Sequence, residues 1–244
     1  MKKGFGYVDL VISVGIFIIY ILSIFIFFKP GIQEEYNPTY LNTIIEQSLK
    51  KDLYWQVEKM PIFINSFLLL GVEGNKKFEL EFPFNNWQNN ANLYDSDLNE
   101  IGFQFDNPNK LIFETYIKKG FNKKTFYITH SSEISNPPLL SGTTLTTQFI
   151  YKYGVKENLY GINGQNLTDY LNNIDYNTLK NNWHYPTTKN FQISITNIEG
   201  TILSEVNSNI SPPKESEVSV LRWNDFILDK SGERTQVIVN IKTW

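Results

Sequence analysis

Residues 10–28 read LVISVGIFIIYILSIFIFF, an uncharged run of 19 residues near the start of a 244-residue chain. As a helix rising about 1.5 Å per residue, this run spans roughly 28 Å, close to the hydrocarbon thickness of a bilayer. A secretory signal has a shorter apolar core, of about 7–15 residues, followed by a small-residue cleavage site. Here the run continues instead into Lys29-Pro30-Gly31. The stretch therefore predicts a transmembrane helix that stays on the mature protein.

The charges around this run indicate its orientation in a membrane. Two lysines, Lys2 and Lys3, precede the run, whereas two glutamates, Glu34 and Glu35, follow it closely. Because positive charge is retained on the cytoplasmic side, the N-terminus is predicted to be cytoplasmic and the bulk of the chain extracellular. Residues up to Lys29 carry a net charge of +2, which leaves −5 for the remainder of a chain whose total is −3. The sequence thus predicts a single-pass protein of the cell membrane, held by the lipid bilayer.

The composition excludes several classes of function. Acidic side chains number 25 against 22 basic ones, so the chain lacks the basic surface that binds nucleic acid. It has no cysteine and only two histidines, His130 and His184. Disulfide frameworks, thiolate metal sites, cysteine nucleophiles and multi-histidine centres are therefore excluded. No cofactor and no nucleic-acid partner are predicted.

The residues before the apolar run read MKKGFGYVD and form a second signal. This pattern resembles the leader of archaeal type IV pilin-like proteins, the class III signal peptide. In that family a prepilin-type peptidase cleaves after the glycine, and the mature chain carries an acid at its fifth position. The resemblance implies that Lys2 and Lys3 supply the leader charge, that cleavage falls between Gly4 and Phe5, and that Asp9 is the fifth residue.

A carboxylate this close to hydrocarbon is costly unless it is paired. Cleavage would create a free amine at Phe5, and Asp9 lies one helical turn further along the chain. In a filament the amine of an adjacent subunit would pair with this acid, so the resemblance implies homo- or hetero-oligomers formed through the N-terminal helix. The alternative is that Asp9 lies in the headgroup zone of an ordinary signal anchor.

A short amphipathic helix is predicted between the membrane segment, residues 1–32, and the body of the protein. This helix lies within residues 33–51, where Asn37 is a suitable N-cap and Pro38 a suitable first helical residue. Its apolar residues recur at helical spacing. They are Leu41, Ile45 and Leu49, with Tyr40 and Ile44 widening the same face.

Beyond this helix the apolar residues alternate with a period of two, in short runs separated by turns. In residues 52–134 this pattern predicts an antiparallel β-sandwich. Residues 52–132 also resemble a β-sandwich module of unknown function from secreted archaeal and bacterial proteins, which has no assigned chemistry. The resemblance depends on the turn from Asp95 to Glu100, with Leu98 at the module's turn glycine, and on the aromatic strand that ends near Ser132.

Residues 139–244 follow a linker, Asn136-Pro137-Pro138, and predict a second β-rich portion of α+β type. One or two short helices are expected within 166–182, capped by Asn166 and Asp175. Alternating strands then continue to Trp244, an outline similar to the heads of archaeal pilin-like proteins. The fold class is thus predicted to be mainly β with an N-terminal transmembrane helix.

Few side chains indicate chemistry. Asp95, Asp97 and Asn99 have the spacing of a calcium loop, but Glu100 stands where such a loop requires glycine, so a solvated turn is the better interpretation. Neither histidine has an obvious acid partner in the sequence. No nucleophile elbow or phosphate-binding glycine loop is present, and no catalytic or metal-ligating residue is predicted.

Two sequons lie in the predicted extracellular part. They begin at Asn166 and Asn209, which are therefore candidate glycosylation sites. Four aromatic residues in turn-like settings would form a sugar-stacking or subunit-contact surface if exposed, and core residues if buried. These residues are Trp87, Trp183, Tyr185 and Trp223.

The hypothesis favoured by the sequence is a non-enzymatic, type IV pilin-like surface protein, a subunit of a filament or pilus complex with a role such as adhesion. The alternative is a monomeric signal-anchored module that binds glycan or a partner protein. A membrane-tethered hydrolase is a third hypothesis, for which no catalytic constellation is visible in the sequence.

Overall fold

A computed structural model describes residues 6–28, 37–65, 73–84, 86–87, 89–106, 109–118, 123–134, 140, 145–146, 149–171, 173–207, 211–212, 214 and 217–244. The chain divides into two compact units, Met1–Tyr40 and Leu41–Trp244. The protein is mainly β, as predicted, with an apolar helix near its N-terminus.

Two longer helices precede the strands. Helix α1 covers Tyr7–Phe28 and helix α2 covers Pro38–Leu53. Asn37 caps α2 as predicted, because its side-chain Oδ1 accepts a hydrogen bond of 2.9 Å from the Thr39 N–H. The predicted inner face of α2 is buried at Leu41, Ile45 and Leu49. Tyr40, which was expected to widen that face, is exposed.

The other regular elements of the described residues are fourteen strands, two short helices and one π-helical turn. The strands are β1 (Tyr54–Asn65), β2 (Gly74–Glu81), β3 (Ala91–Tyr94), β4 (Glu100–Ile101), β5 (Phe103–Phe105), β6 (Lys110–Ile117), β7 (Lys123–His130), β8 (Leu145–Thr146), β9 (Ile150–Tyr153), β10 (Glu157–Asn163), β11 (Phe191–Asn197), β12 (Ile202–Asn207), β13 (Ser219–Leu228) and β14 (Arg234–Thr243). The helices are α3 (Gly164–Asn166), which continues into a π-helical turn at Leu167–Leu171, and α4 (Tyr176–Asn182).

The described strands form two sheets. The larger has the order β12-β11-β14-β13-β10-β1-β7-β3-β4, with β9 beside β1, and the smaller has the order β5-β6-β2-β8. Most neighbours are antiparallel, but β10 pairs with β13, and β2 with β8, in parallel. The two sheets are therefore mixed, although each described pairing within residues 52–134, the portion predicted to be antiparallel, is antiparallel. The two parallel pairs join segments far apart in the chain, which a pattern of local turns does not reveal.

Strand β1 buries opposite faces in its two halves. Its register with β10 and then with β7 runs without a shift, so odd and even residues point to opposite sides throughout. Trp55 and Val57 belong to one hydrophobic cluster, with Ile134, Leu159 and Leu228. Further along, the even residues of β1 belong to a second cluster. They are Met60, Ile62 and Ile64.

The second cluster contains residues from both sheets. The larger sheet contributes the end of β1 with Ile128, and the smaller sheet contributes Phe78, Leu80 and Phe113. Aromatic rings pack within it at favourable distances, with Phe113 and Phe126 centroids 4.9 Å apart in an edge-to-face arrangement. This cluster is the core of the part that was predicted as a sandwich.

Helix α2 packs against the β13–β14 part of the larger sheet. The buried Asn42 side chain donates to the Ser219 hydroxyl at 3.0 Å and accepts from the Thr243 hydroxyl at 3.2 Å. At the other end of α2, Asp52 accepts hydrogen bonds of 2.7 Å from the Tyr170 hydroxyl and from the Trp183 indole. One carboxylate therefore connects α2 to the π-helical turn and to the end of α4.

Strands from both predicted β-rich portions pair within the larger sheet. Strand β1 belongs to the predicted 52–134 portion, and its partners β9 and β10 belong to the 139–244 portion. The compact unit Leu41–Trp244 includes both portions. The predicted linker lies among residues outside the described ranges.

The turn between β3 and β4 holds a leucine in an unfavourable backbone conformation. Leu98 has a φ of 61°, in the left-handed region that favours glycine. The Asp95 carboxylate enforces this shape, because its Oδ1 accepts from the N–H groups of Asp97 and Asn99, both at 2.9 Å. Leu98 thus has a backbone conformation that glycine adopts without steric cost.

Replacing Leu98 separates the backbone cost from the side-chain packing. Leu98→Gly and Leu98→Ala both remove the side chain, but only glycine removes the left-handed penalty. We expect Leu98→Gly to be more stable than Leu98→Ala by about 1 kcal/mol, measured by denaturant unfolding of the full chain in detergent. An alanine variant as stable as the glycine variant would contradict the strain at this position.

Candidate functional site

The first candidate site is helix α1 itself. Its window Leu10–Phe27 has a mean hydropathy of 2.9, and none of it is buried inside the protein. By length and composition this helix is sufficient to cross a membrane. Its Ser23 hydroxyl donates to the Ile19 carbonyl at 2.8 Å, so this polar group is satisfied within the helix. All described large apolar side chains of this window are exposed.

The residues predicted from the leader lie at or before the start of α1. Lys2, Lys3, Gly4 and Phe5 are outside the described residues. Asp9 lies in the first turn of α1, so the acid is part of the apolar helix. The cleavage site and the pairing role of Asp9 remain predictions.

The two candidate glycosylation sites differ in what is described. Asn166 is the last residue of α3, where its side-chain amide donates to Glu133 at 3.3 Å, and Thr168 of its sequon is exposed. It does not cap this helix as predicted, because Asn163 accepts from the N–H groups of Gln165 and Asn166 instead. The other predicted cap, Asp175, does cap α4. Asn209 lies outside the described residues.

A charged cluster on β1 was not found in the sequence. The Glu58 carboxylate lies 3.2 Å from His130 Nδ1 and 2.6 Å from Lys156 Nζ. The His130 ring stacks on Trp87, with centroids 5.2 Å apart and planes 10° from parallel. The expectation that His130 has no acid partner is therefore wrong. Glu58 and His130 are directly paired on β1 and β7, although 72 residues separate them in the chain.

The protonation of Glu58 follows from this arrangement. Burial by itself raises the pKa of the Glu58 carboxyl, but the hydrogen bonds and positive charges of Lys156 and His130 outweigh it and hold the pKa below its usual value. Lys156 and His130 together favour the charged form of the Glu58 carboxylate. This cluster therefore has a structural role in joining β1, β7 and the segment between β9 and β10.

Two adjoining clefts flank the turn between β13 and β14. The larger measures about 650 Å³ and is lined by residues that include Trp55, Tyr94 and Ser231. The smaller measures about 510 Å³ and includes Lys59, and Leu98 lines both clefts. Burial lowers the pKa of the Lys59 amine, although nearby acids oppose the shift. Burial also raises the pKa of Tyr94 to about 12.

Several polar groups of the larger cleft already have partners within the protein. The Trp55 indole donates to the Leu228 carbonyl at 3.1 Å. The Ser231 hydroxyl donates to Asp229 at 2.7 Å, and the Asn163 amide donates to Glu133 at 2.6 Å. These hydrogen bonds hold the β13–β14 turn and the start of α3 in place. The role of these cleft side chains in the described contacts is therefore structural.

The aromatic residues singled out in the sequence are mostly core residues. Trp87, Trp183 and Tyr185 are buried, and Trp223 is half-buried with its indole bonded to Asp225 at 2.8 Å. Within the described residues these four side chains do not form an exposed surface. Their role is packing, the alternative that the sequence left open.

The Asp95 carboxylate is hydrogen-bonded to groups of its own turn. The Asp95 carboxylate accepts hydrogen bonds from the N–H groups of Asp97 and Asn99, and also one of 3.3 Å from the Asn99 side-chain amide. Among the residues that the structure describes, no group of three or more His, Cys, Asp or Glu side chains is arranged to hold a metal ion. The interpretation of this segment as a turn between strands agrees with these contacts.

Comparisons with protein-family models, with curated proteins and with solved structures find no match to this chain.

The Glu58 cluster predicts a pH-dependent contribution to stability. A carboxyl whose folded pKa lies below its unfolded value, about 4.3, stabilises the protein above that pH and loses its effect as the pH falls through the folded pKa. We expect Glu58→Gln to lower the unfolding midpoint of the full chain at pH 7, with a difference from the native protein that shrinks below about pH 4.

Glu79→Gln is the matched control, because Glu79 forms a more exposed pair with Lys110 at 2.7 Å, and exposed pairs contribute little. A Glu58→Gln difference equal to that of Glu79→Gln at pH 7, or one that persists unchanged in acid, would show that the cluster is not stabilised by the Glu58 charge.

Proposed function

We propose that the protein is a non-enzymatic, type IV pilin-like surface protein, anchored by α1 in the cell membrane and exposing its β-rich unit outside the cell. In this proposal it is a subunit of a filament or pilus complex, with adhesion as the class of role. The two sheets with their shared aromatic core are the layers of a β-sandwich, and the part built around α2 is the head.

The observation that carries the proposal is the exposed apolar surface of α1. Soluble proteins rarely expose contiguous apolar patches of more than a few hundred Å², yet every described large apolar side chain of α1 is exposed. Transfer of such a helix into hydrocarbon is favourable at roughly 25 cal/mol per Å² of apolar surface. A lipid bilayer is the solvent that this helix requires.

The charge distribution supports the orientation. The segment before and including Lys29 has a net charge of +2, and the acidic remainder has −5. Positive charge beside a membrane helix favours the cytoplasmic side. The absence of cysteine makes the extracellular unit independent of disulfide formation.

The packing of α2 supports the resemblance to pilin-like heads. In such proteins the N-terminal helical region supports a β-rich head. Here α2 buries Leu41, Ile45 and Leu49, and its Asn42 bonds to the first residue of β13 and the last of β14. These strands belong to an antiparallel group of four with the order β12-β11-β14-β13.

The partners follow from the leader. A prepilin-type peptidase would cleave after Gly4, and the amine of Phe5 on one subunit would pair with Asp9 of its neighbour. This pairing would remove the cost of an isolated carboxylate at the membrane boundary and set the stagger between adjacent helices. Assembly then occurs through α1 in the bilayer.

The leader can be tested by mass. We expect intact-protein mass spectrometry of the native chain, extracted from membranes, to show loss of residues 1–4. Gly4→Leu should retain them, because the glycine precedes the scissile bond, whereas Lys51→Ala, a change outside the leader, should leave processing intact. A native mass that includes Met1, or lacks Met1 alone, would contradict the pilin-like proposal and favour an ordinary signal anchor.

The role of Asp9 can be separated from membrane insertion. Asp9→Ala should leave the chain in the membrane fraction but reduce its recovery in assemblies by about tenfold or more, because the charge pair at the membrane boundary is lost. Asp9→Glu keeps the carboxylate and should retain assembly. Normal assembly of Asp9→Ala would instead support a monomeric anchored module.

A further inference from the structure

An apolar patch flanked by lysines lies on the outer part of β1 and β9. Phe63 is 46% exposed and Ile150 is 61% exposed. Phe63 is directly opposite Lys152, and Ile150 is directly opposite Asn65, two residues further along β1. Opposite residues share a face of a sheet, so Phe63, Ile150 and Lys152 form one surface.

A second lysine extends this surface on the other side of β1. Lys123 of β7 is directly opposite Asn65 and is exposed, as is Lys152. We call these four residues the basic patch: Phe63, Lys123, Ile150 and Lys152. It combines large apolar side chains with positive charge on a chain whose net charge is negative.

A second apolar patch lies on the hairpin of β11 and β12. Ile198, Ile202 and Leu203 are 40% to 65% exposed. The register between the two strands shifts at Ile195 and Thr196, so Leu203 has no direct partner between Ile202 and Ser204. Such a bulge explains why two consecutive apolar side chains are both exposed.

This second patch is acidic. Glu199 lies in the hairpin turn beside Ile198 and is exposed, and Glu205 lies further along β12, half-buried. We call these five residues the acidic patch: Ile198, Glu199, Ile202, Leu203 and Glu205. Strand β12 is at one end of the larger sheet, whereas the basic patch lies on strands at its centre. The two patches are therefore separate surfaces of one unit.

We propose that the basic patch of one copy binds the acidic patch of the next copy. This inference rests on the proposed assembly role and names the contact between the extracellular units. Each patch combines large exposed apolar side chains with charge, and the charges of the two patches are opposite, which favours this pairing over the pairing of like patches. Because two different surfaces meet, the contact is heterologous and repeats from copy to copy.

A heterologous contact has a structural consequence that a twofold contact lacks. Each copy keeps one unused patch after binding, so the contact generates either a closed ring or an open filament. It therefore adds a lateral connection outside the membrane to the pairing proposed for α1. The apolar side chains bury surface in this contact. The pairing of lysines with glutamates sets the register between one copy and the next.

The absence of native cysteine permits a direct test in the full chain, reconstituted in phospholipid vesicles. Ile150→Cys and Ile198→Cys are placed together in one chain, and a disulfide is formed by mild oxidation. If the two patches meet as proposed, we expect a ladder of covalent multimers. A disulfide requires Cα atoms within about 7 Å, so the ladder reports direct contact between the patches. Each single variant should stay monomeric, since like patches do not meet.

A matched control uses Tyr160, which lies on β10 outside both patches and is exposed to the same fraction, 61%, as Ile150. Ile150→Cys with Tyr160→Cys should give no ladder. A ladder from this control equal to that of the patch pair, or dimers from either single variant, would overturn the heterologous contact.

Charge reversal provides a second measurement. Lys152→Glu and Glu199→Lys, each alone in the cysteine-pair chain, should reduce the multimer yield by about tenfold, because like charges then face each other. The two reversals together should restore it. Failure of the combined variant to restore a yield lost in both single reversals would overturn the charge pairing, provided that near-ultraviolet circular dichroism shows each variant folded.

The same vesicles separate this inference from the proposed function. Flotation of the chain with vesicles but no ladder overturns the contact between units and leaves the membrane anchor supported. A ladder from chain that does not float with vesicles supports the contact and overturns anchoring by α1.

Discussion

The β-rich unit depends on the geometry of one strand. Strand β1 is 12 residues long and is paired along both edges, to β7 on one side and to β9 and β10 on the other. Because its side chains alternate strictly, the first half contributes Trp55 and Val57 to one core, and the second half contributes the even residues to the other. A shift of one residue in this register would expose both sets at once.

The other contacts of the unit follow from this position. The Glu58 cluster lies where the buried side of β1 changes from odd-numbered to even-numbered residues. The next residue, Lys59, has its side chain close to Gly232 in the β13–β14 turn. The Thr129 hydroxyl of β7 donates to the Lys230 carbonyl in the same turn at 2.8 Å. The start of β1 follows directly from α2, whose Asp52 is bonded to Tyr170 and Trp183. Segments more than 100 residues apart are thereby held together by a few buried or half-buried polar groups.

The local features of the fold were accessible from the sequence. The cap at Asn37, the helical spacing of α2, the Asp175 cap and the alternation of most strands all depend on residues within one or two turns of each other. The pairings were not accessible. The two-residue parallel contact of β10 with β13 and the pairing of Glu58 with His130 join residues distant in the chain, and strand alternation specifies a face without naming a neighbour. Leu98 illustrates the boundary, because the position was marked by a turn motif, whereas its left-handed backbone is set by the hydrogen bonds of Asp95.

The sequence alone determined that the chain has a long uncharged apolar helix next to two lysines, followed by a mainly β body without cysteine, because these properties depend on composition and short-range periodicity. Tertiary structure decided which side chains meet. It buried Trp87 and Trp183, brought His130 and Lys156 to Glu58, and left one lysine-flanked and one glutamate-flanked apolar patch on separate strands. The physical reason is that burial and charge pairing depend on sheet order and register, and these are set by contacts across the whole unit.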